Sequence, residues 1–183
     1  MTEELIIAGF GGQGVLSMGM TLAYAGMIED KQVVWMPSYG PEMRGGTANC
    51  MVVVSDARIS SPIINTFDTA IILNQPSMDK FESAVKPGGN LIFETNNIIS
   101  LPARSDITID SVPAAKEAVN LKNAKTMNMI MLGAFLARKP VVKLESILAA
   151  LRKVLPERHH HLIPVNEQAL RLGMSLVKEP NAV

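Results

Sequence analysis

Two stretches near the N-terminus have residue types and spacings that chemistry can use. The first, Gly9-Phe10-Gly11-Gly12-Gln13-Gly14, fits the pattern G-x-G-x-x-G. Glycines in such a turn let the backbone bend tightly. They also let a phosphate reach the free N–H groups and positive dipole of a helix N-terminus. A dinucleotide site has a second requirement, an acid roughly 20 residues on, at the end of the next strand, to hold the ribose. Here that strand is expected to end at Met36-Pro37, and Glu29 and Asp30 fall before it. The turn therefore departs from the NAD(P) and FAD pattern. Another phosphate or nucleotide ligand, and glycines selected only for close packing, both remain open.

The second stretch runs from Pro37 to Cys50 and includes Tyr39, Gly40, Pro41, Glu42, Arg44, Gly45 and Gly46. Two prolines and three glycines are expected to stiffen a convoluted loop on the carboxyl side of a sheet, where α/β folds bind ligands. Arg44 beside Gly45-Gly46 places a fixed cation next to bare backbone, suited to a phosphate or carboxylate. Tyr39 can stack or donate a hydrogen bond. The bland reading, an Arg44–Glu42 ion pair in a loop packed on a neighbour, is weighed equally with the ligand reading. His159-His160-His161 reads as polar connection rather than metal site, because consecutive histidines cannot all face one ion in a regular element. Cys50 reads as a small buried side chain, and the methionines as core or interface filler. The chain has no Ser-His-Asp or H-E-x-x-H signature.

These turns need strands and helices to hold them. Leu5–Ala8, Gln32–Met36, Met51–Val54, Asp68–Leu73 and Asn90–Glu94 read as strands, with a short edge strand around Ile107 and Ile109. Helices are expected over Val15–Met27 and over Met78–Val85, the latter capped by Ser77. Lys86-Pro87-Gly88-Gly89 reads as a turn. From Val112 the pattern becomes helical, over Pro113–Val119, Asn128–Ala137, Leu144–Val154 and Val165–Lys178. The expected fold is α/β: three layers around a Rossmann-like, mostly parallel sheet, with a helical C-terminal part, as one domain over residues 1–183.

Composition excludes several classes. Among 183 residues, 17 Lys and Arg balance 17 Asp and Glu, which argues against nucleic-acid binding. Hydrophobic residues make up 48% and mean hydropathy is +0.21, too apolar for disorder and suggestive of surface buried against a partner. One cysteine cannot build a disulfide framework or a four-cysteine metal or iron–sulfur site. No apolar run approaches the roughly 20 residues that span a bilayer. Glu3 and Glu4 stand where a signal peptide carries Lys or Arg, so the reading is cytoplasmic, with no membrane partner.

Together with Leu162–Gly173, in which Asn166, Ala169 and Gly173 take the matching places, the two stretches resemble the gamma subunit of the 2-oxoacid:ferredoxin oxidoreductases over nearly the whole chain. That resemblance implies a part of a multi-subunit enzyme of anaerobic metabolism. The enzyme decarboxylates a 2-oxoacid oxidatively, joins the acyl group to coenzyme A and passes electrons to ferredoxin. Which 2-oxoacid is used is not written in this chain; a 2-oxoglutarate enzyme is the favoured reading, and pyruvate, branched-chain and indolepyruvate enzymes have similar gamma domains. It implies thiamine diphosphate on alpha and beta subunits and iron–sulfur clusters on a delta subunit. This chain would hold no cofactor, metal or catalytic residue and would be inactive alone. Gly11, Gly12, Gln13, Gly14, Tyr39, Arg44, Gly45 and Gly46 would face coenzyme A or a neighbouring subunit. A stand-alone, nucleotide-binding Rossmann-type oxidoreductase is the alternative reading.

Overall fold

The computed structural model describes residues 1–40, 46–61 and 63–177. Apolar runs with β-branched residues become six strands: β1 (Thr2–Phe10), β2 (Gln32–Tyr39), β3 (Thr47–Ser55), β4 (Phe67–Ile72), β5 (Val85–Glu94) and β6 (Thr108–Val112). They form one sheet in the order β2-β3-β1-β4-β5-β6. β1, β4, β5 and β6 pair in parallel, while β3 is antiparallel to both β1 and β2. β2 therefore points the same way as β1, but one strand removed from it.

Five helices cover one face: α1 (Val15–Ile28), then, after the two-turn helix α2 (Gln75–Phe81), α3 (Ala114–Asn120), α4 (Met127–Arg138), α5 (Leu144–Val154) and α6 (Ile163–Leu176). The larger core lies beneath them, joining Leu5, Ile7, Cys50 and Val52 of the sheet to Met18, Leu22, Ile130 and Phe135 of the helices. A smaller core of Ile6, Ala8, Leu91 and Phe93 lies on the other face, under α2 and loops.

Several boundaries differ from the sequence reading. β2 continues through Pro37 to Tyr39, because a sheet-edge strand tolerates a residue without an N–H. Ser38, Tyr39 and Thr47–Cys50 belong to a β2–β3 hairpin rather than to a convoluted loop, with Tyr39 opposite Ala48. The second helix starts at Gln75, not Met78. Asn74 is its cap, accepting the Ser77 N–H at 2.9 Å, and a proline fits the first turn. It ends before Val85, which already pairs with Phe67 in β5. The Lys86–Gly89 turn is an irregularity inside β5, and the ladder resumes at Asn90–Thr69. The expected end of the last helix at Lys178 lies outside the described residues.

The C-terminal helices are locked by two reciprocal glycines. A Cβ on Gly133 of α4 would lie 2.0 Å from the Leu170 carbonyl oxygen, and one on Gly173 of α6 would lie 1.9 Å from that of Ile130. The two backbones touch, so neither site has room for a methyl group. Overpacking a rigid site costs typically about 1–3 kcal/mol and occasionally more. Gly173→Ala is expected to lower the thermal midpoint by at least several degrees, and Gly133→Ala likewise. A midpoint unchanged in both variants would show that the helices separate freely.

Candidate functional site

The carboxyl ends of the parallel strands gather the residues singled out by sequence. β1 ends at Phe10, and Gly11 to Gly14 turn the chain into α1. Gly12 and Gly14 take left-handed φ angles of 96° and 78°. The turn is fastened at both ends. The Gln13 carboxamide oxygen accepts the Phe10 N–H at 2.6 Å, and its nitrogen donates to the Leu73 carbonyl at 3.3 Å. Gln13 thus ties β1 to β4 and spends its side chain on the turn. Gly14 serves close packing, since a Cβ there would lie 2.5 Å from the Asn128 amide nitrogen of α4. At Gly12 a Cβ would meet nothing within 4 Å.

The loop-side ends of β2 and β3 reach the same place. Gly11 N–H donates to the Gly46 carbonyl at 2.9 Å. Between turn and hairpin lies a cleft of roughly 520 Å³, lined by Gly11, Gly12, Leu16, Ser17, Tyr39 and Thr47 among others. Tyr39 is 64% exposed at its mouth. The first helical hydrogen bond of α1 runs from Met18 N–H to Gly14. The N–H groups of Gly14 to Ser17 find no acceptor among the described residues, as expected for a helix start without a side-chain cap. A second cleft of about 380 Å³ flanks the other side of the same helix start, with Gln13, Ser17, Lys125, Asn128, His159 and Asn166 in its walls.

Of the eight expected contact residues, Gly11, Gly12, Gly14, Tyr39 and Gly46 line the first cleft, whereas Gln13 borders the second. Arg44 and Gly45 lie outside the described residues. The sequence reading missed Leu16, Ser17 and Thr47. The first two open a helix already delimited by the glycine turn, which was the available signal. His159 to His161 lie in a 3-10 segment, Glu157–Leu162, where a ring nitrogen of His160 sits 3.0 Å from the Leu155 carbonyl oxygen. Among the described residues no three His, Cys, Asp or Glu side chains converge as a metal site would require. No described helix is long and apolar enough to cross a membrane.

The topology separates this site from a dinucleotide fold. There β2 neighbours β1, so the acid at its end meets a ribose held at the glycine turn. Here β3 is inserted between them. At about 4.8 Å per strand, the end of β2 stands about 10 Å from β1 rather than about 5 Å.

Comparison with known proteins agrees with this geometry. Residues 4–176 match the family model described as pyruvate ferredoxin/flavodoxin oxidoreductase. The chain belongs to that family. It is 32% identical to the 2-oxoglutarate synthase subunit KorC of Methanocaldococcus jannaschii, over 86% of each chain. It is 43% identical over 131 residues to the ketoisovalerate oxidoreductase subunit VorA of Methanothermobacter marburgensis. That match spans 72% of this chain but only 27% of VorA. Among solved structures, the gamma subunit of a keto/oxoacid ferredoxin oxidoreductase from Geobacter sulfurreducens superposes with a TM-score of 0.82, at 28% identity over 96% of both chains. A 2-oxoglutarate:ferredoxin oxidoreductase from Magnetococcus marinus shares the fold, with a TM-score of 0.89 at 20% identity. It covers the whole of this chain and 32% of its own.

Cys50 lies beneath the cleft floor, fully buried, with its thiol 3.5 Å from the Val15 carbonyl. Burial pushes the thiol up to about 12, against the lowering contributions of Trp35 and Gly19. The neutral thiol is thus favoured in the native state. Native stability is expected to hold at neutral pH and to fall as pH rises past about 8.5, where an unfolded thiol ionises, toward 12. At pH 8.5 iodoacetamide should label Cys50 only after denaturant is added. Rapid labelling of native protein would place the thiol at the surface.

Proposed function

We propose that the chain is the gamma subunit of a 2-oxoacid:ferredoxin oxidoreductase acting on 2-oxoglutarate, and that its first cleft forms one wall of the coenzyme A site. The observation that carries the coenzyme A reading is the junction of the glycine turn, the loop-side ends of β2 and β3 and the uncapped start of α1. A cleft of roughly 520 Å³ falls in the usual range for small-molecule sites. Unpaired N–H groups and a helix dipole favour a phosphate, and an exposed tyrosine at the mouth can stack on a base. The open side of Gly12 leaves the backbone bare to an incoming group. Support for the substrate comes from the full-length relatives named 2-oxoglutarate synthase subunits. The Magnetococcus enzyme was crystallised with 2-oxoglutarate, coenzyme A and succinyl-CoA.

In this reading the chain's work is binding, orientation and assembly. Thiamine diphosphate supplies the carbanion chemistry and the clusters carry electrons, on alpha, beta and delta subunits that deliver to ferredoxin. With one cysteine, buried and neutral, this chain has no thiolates to hold a cluster. The residues proposed to meet coenzyme A are Gly11, Gly12, Gly14, Tyr39 and Gly46, with Ser17 added by the structure. Arg44 and Gly45 remain proposed on sequence grounds, as a cation beside bare backbone. Gln13 acts indirectly by closing the turn.

Gly12→Asp tests the cleft, with Gly12→Ala as the control for the strain that a φ of 96° imposes on any side chain. Aspartate tolerates left-handed backbone better than most residues, and its side chain would project into open space. Its charge would oppose a phosphate there. In the assembled complex, the Michaelis constant for coenzyme A is expected to rise roughly ten-fold or more, with that for the 2-oxoacid unchanged. Each decade corresponds to about 1.4 kcal/mol. An unaltered coenzyme A dependence in an intact complex would remove the cleft from the reaction. The isolated chain, for its part, is expected to purify colourless and without turnover. Stoichiometric iron or activity without other subunits would contradict the gamma-subunit reading.

A further inference from the structure

The two faces of the sheet are unequally covered. Five helices pack on one face, but among the described residues the other carries only the seven-residue α2. At the β2 edge, Val33 and Trp35 pack into the helical core, so Val34 and Met36 point to the opposite face. Neither joins a core there, although both are only partly exposed. The same face carries the connection from β5 to β6. Parallel neighbours are usually joined through a helix. Here the link is a short 3-10 turn, Thr95–Asn97, followed by loop.

That loop is clamped at three points, each a side-chain oxygen accepting consecutive N–H groups. Buried Glu94 accepts from Asn96 and Asn97 at 2.9 and 3.3 Å. Gln75 accepts from Ile99 and Ser100 at 2.8 and 2.9 Å, and its own amide is held by Asp79. Glu82 accepts from Ala103 and Arg104 at 2.8 and 3.2 Å. Between the clamps two apolar side chains stand out from the surface, Ile99 at 90% exposure and Leu101 at 75%. A loop with its backbone already fixed loses little entropy when a partner closes on it. Among the described residues, neither side chain joins a hydrophobic core.

We propose that the α2 face of the sheet, anchored by Ile99 and Leu101, is the seat of the large subunit homologous to the part of VorA outside the match. The occupant follows from the relatives. In VorA the matched segment is 27% of the chain, and in the Magnetococcus protein this whole fold is 32%. There the fold is covalently continuous with further polypeptide. Two KorC relatives, matched over 86% and 98% of their length, are separate chains, and a separate chain replaces that continuity with a surface that apolar anchors on a rigid loop can supply. The proposal rests on the gamma-subunit reading.

The test is co-expression of the full chain with that large subunit and purification through a tag on the latter. Ile99→Asp/Leu101→Asp is expected to reduce the co-purified chain roughly ten-fold or more, the scale of losing two interface anchors. The isolated double variant should melt with the wild type, because both side chains are exposed. Tyr24→Asp/Met27→Asp, on the exposed side of α1, should leave co-purification intact. A wild-type chain that does not co-purify overturns the gamma-subunit reading and the surface with it. If the wild type assembles, equal recovery of the Ile99/Leu101 variant overturns the surface alone. So does a homodimer of the isolated chain that this variant dissolves while the heterocomplex survives.

Discussion

The seat of α1 against the sheet is the contact on which the cleft depends. A Cβ on Gly19 would lie 2.5 Å from the Cys50 sulfur, and one on Gly26 would lie 2.6 Å from Val33. At these two points the helix backbone rides directly on side chains of β2 and β3, with none of its own as spacer. Because the helix is low, its first turn meets the loop-side ends of β2 and β3, and Gly11 can donate to Gly46 across the gap. A bulkier residue in α1 would lift the helix and pull the unpaired N–H groups away from Tyr39 and Thr47. The small buried thiol of Cys50 belongs to the same constraint, as do Gly14 and Asn128 on the α4 side.

The antiparallel β3 gives this site a different geometry from a dinucleotide fold. Parallel neighbours would bring a second carboxyl-end loop beside the glycine turn. An antiparallel pair brings the end of β2 and the start of β3 instead, so backbone from two directions meets at the start of α1. Such a site offers N–H groups, a tyrosine and little charge among its described residues. That suits holding one end of a long ligand whose reacting atom lies elsewhere.

Much of this was legible in the sequence. The strand–glycine–helix unit from Leu5 to Met27, the alternation of strands and helices and the helical C-terminal part follow from periodicity and breakers. What was not legible depended on partners distant in sequence. Pro37 looked like a strand end because its tolerance depends on β2 lying at the sheet edge. Ser77 looked like a cap because nothing local distinguishes it from Asn74. Lys86–Gly89 looked like a turn between elements, since only the pairing of Val85 with Phe67 shows that the strand has already begun. Phe10 to Gly14 of the G-x-G-x-x-G pattern border the clefts, yet they have separate tasks. Gln13 ties two strands together and Gly14 admits Asn128, and neither role can be read without Leu73 and α4.

The net charge of zero conceals a further division. Residues 1–111 hold six Lys and Arg against twelve Asp and Glu, whereas residues 112–183 hold eleven against five. The sheet-forming part is acidic and the C-terminal helical part is basic. The two meet at specific points in the fold. Arg138 of α4 forms a two-pronged pair with Asp110 of β6, at 2.6 and 2.7 Å. Lys139 approaches buried Glu3 of β1 at 3.9 Å, and Glu29 at the end of α1 accepts the Lys143 N–H. Burial pushes the Glu3 carboxyl above the ordinary range, and the Thr69 hydroxyl and Lys139 oppose that rise. The helical layer is therefore held by charge of opposite sign at Asp110 and Glu3 and by glycine contacts at the cleft end. Both fix the height of α4 and, through Gly14, the position of the helix start on which the cleft is built.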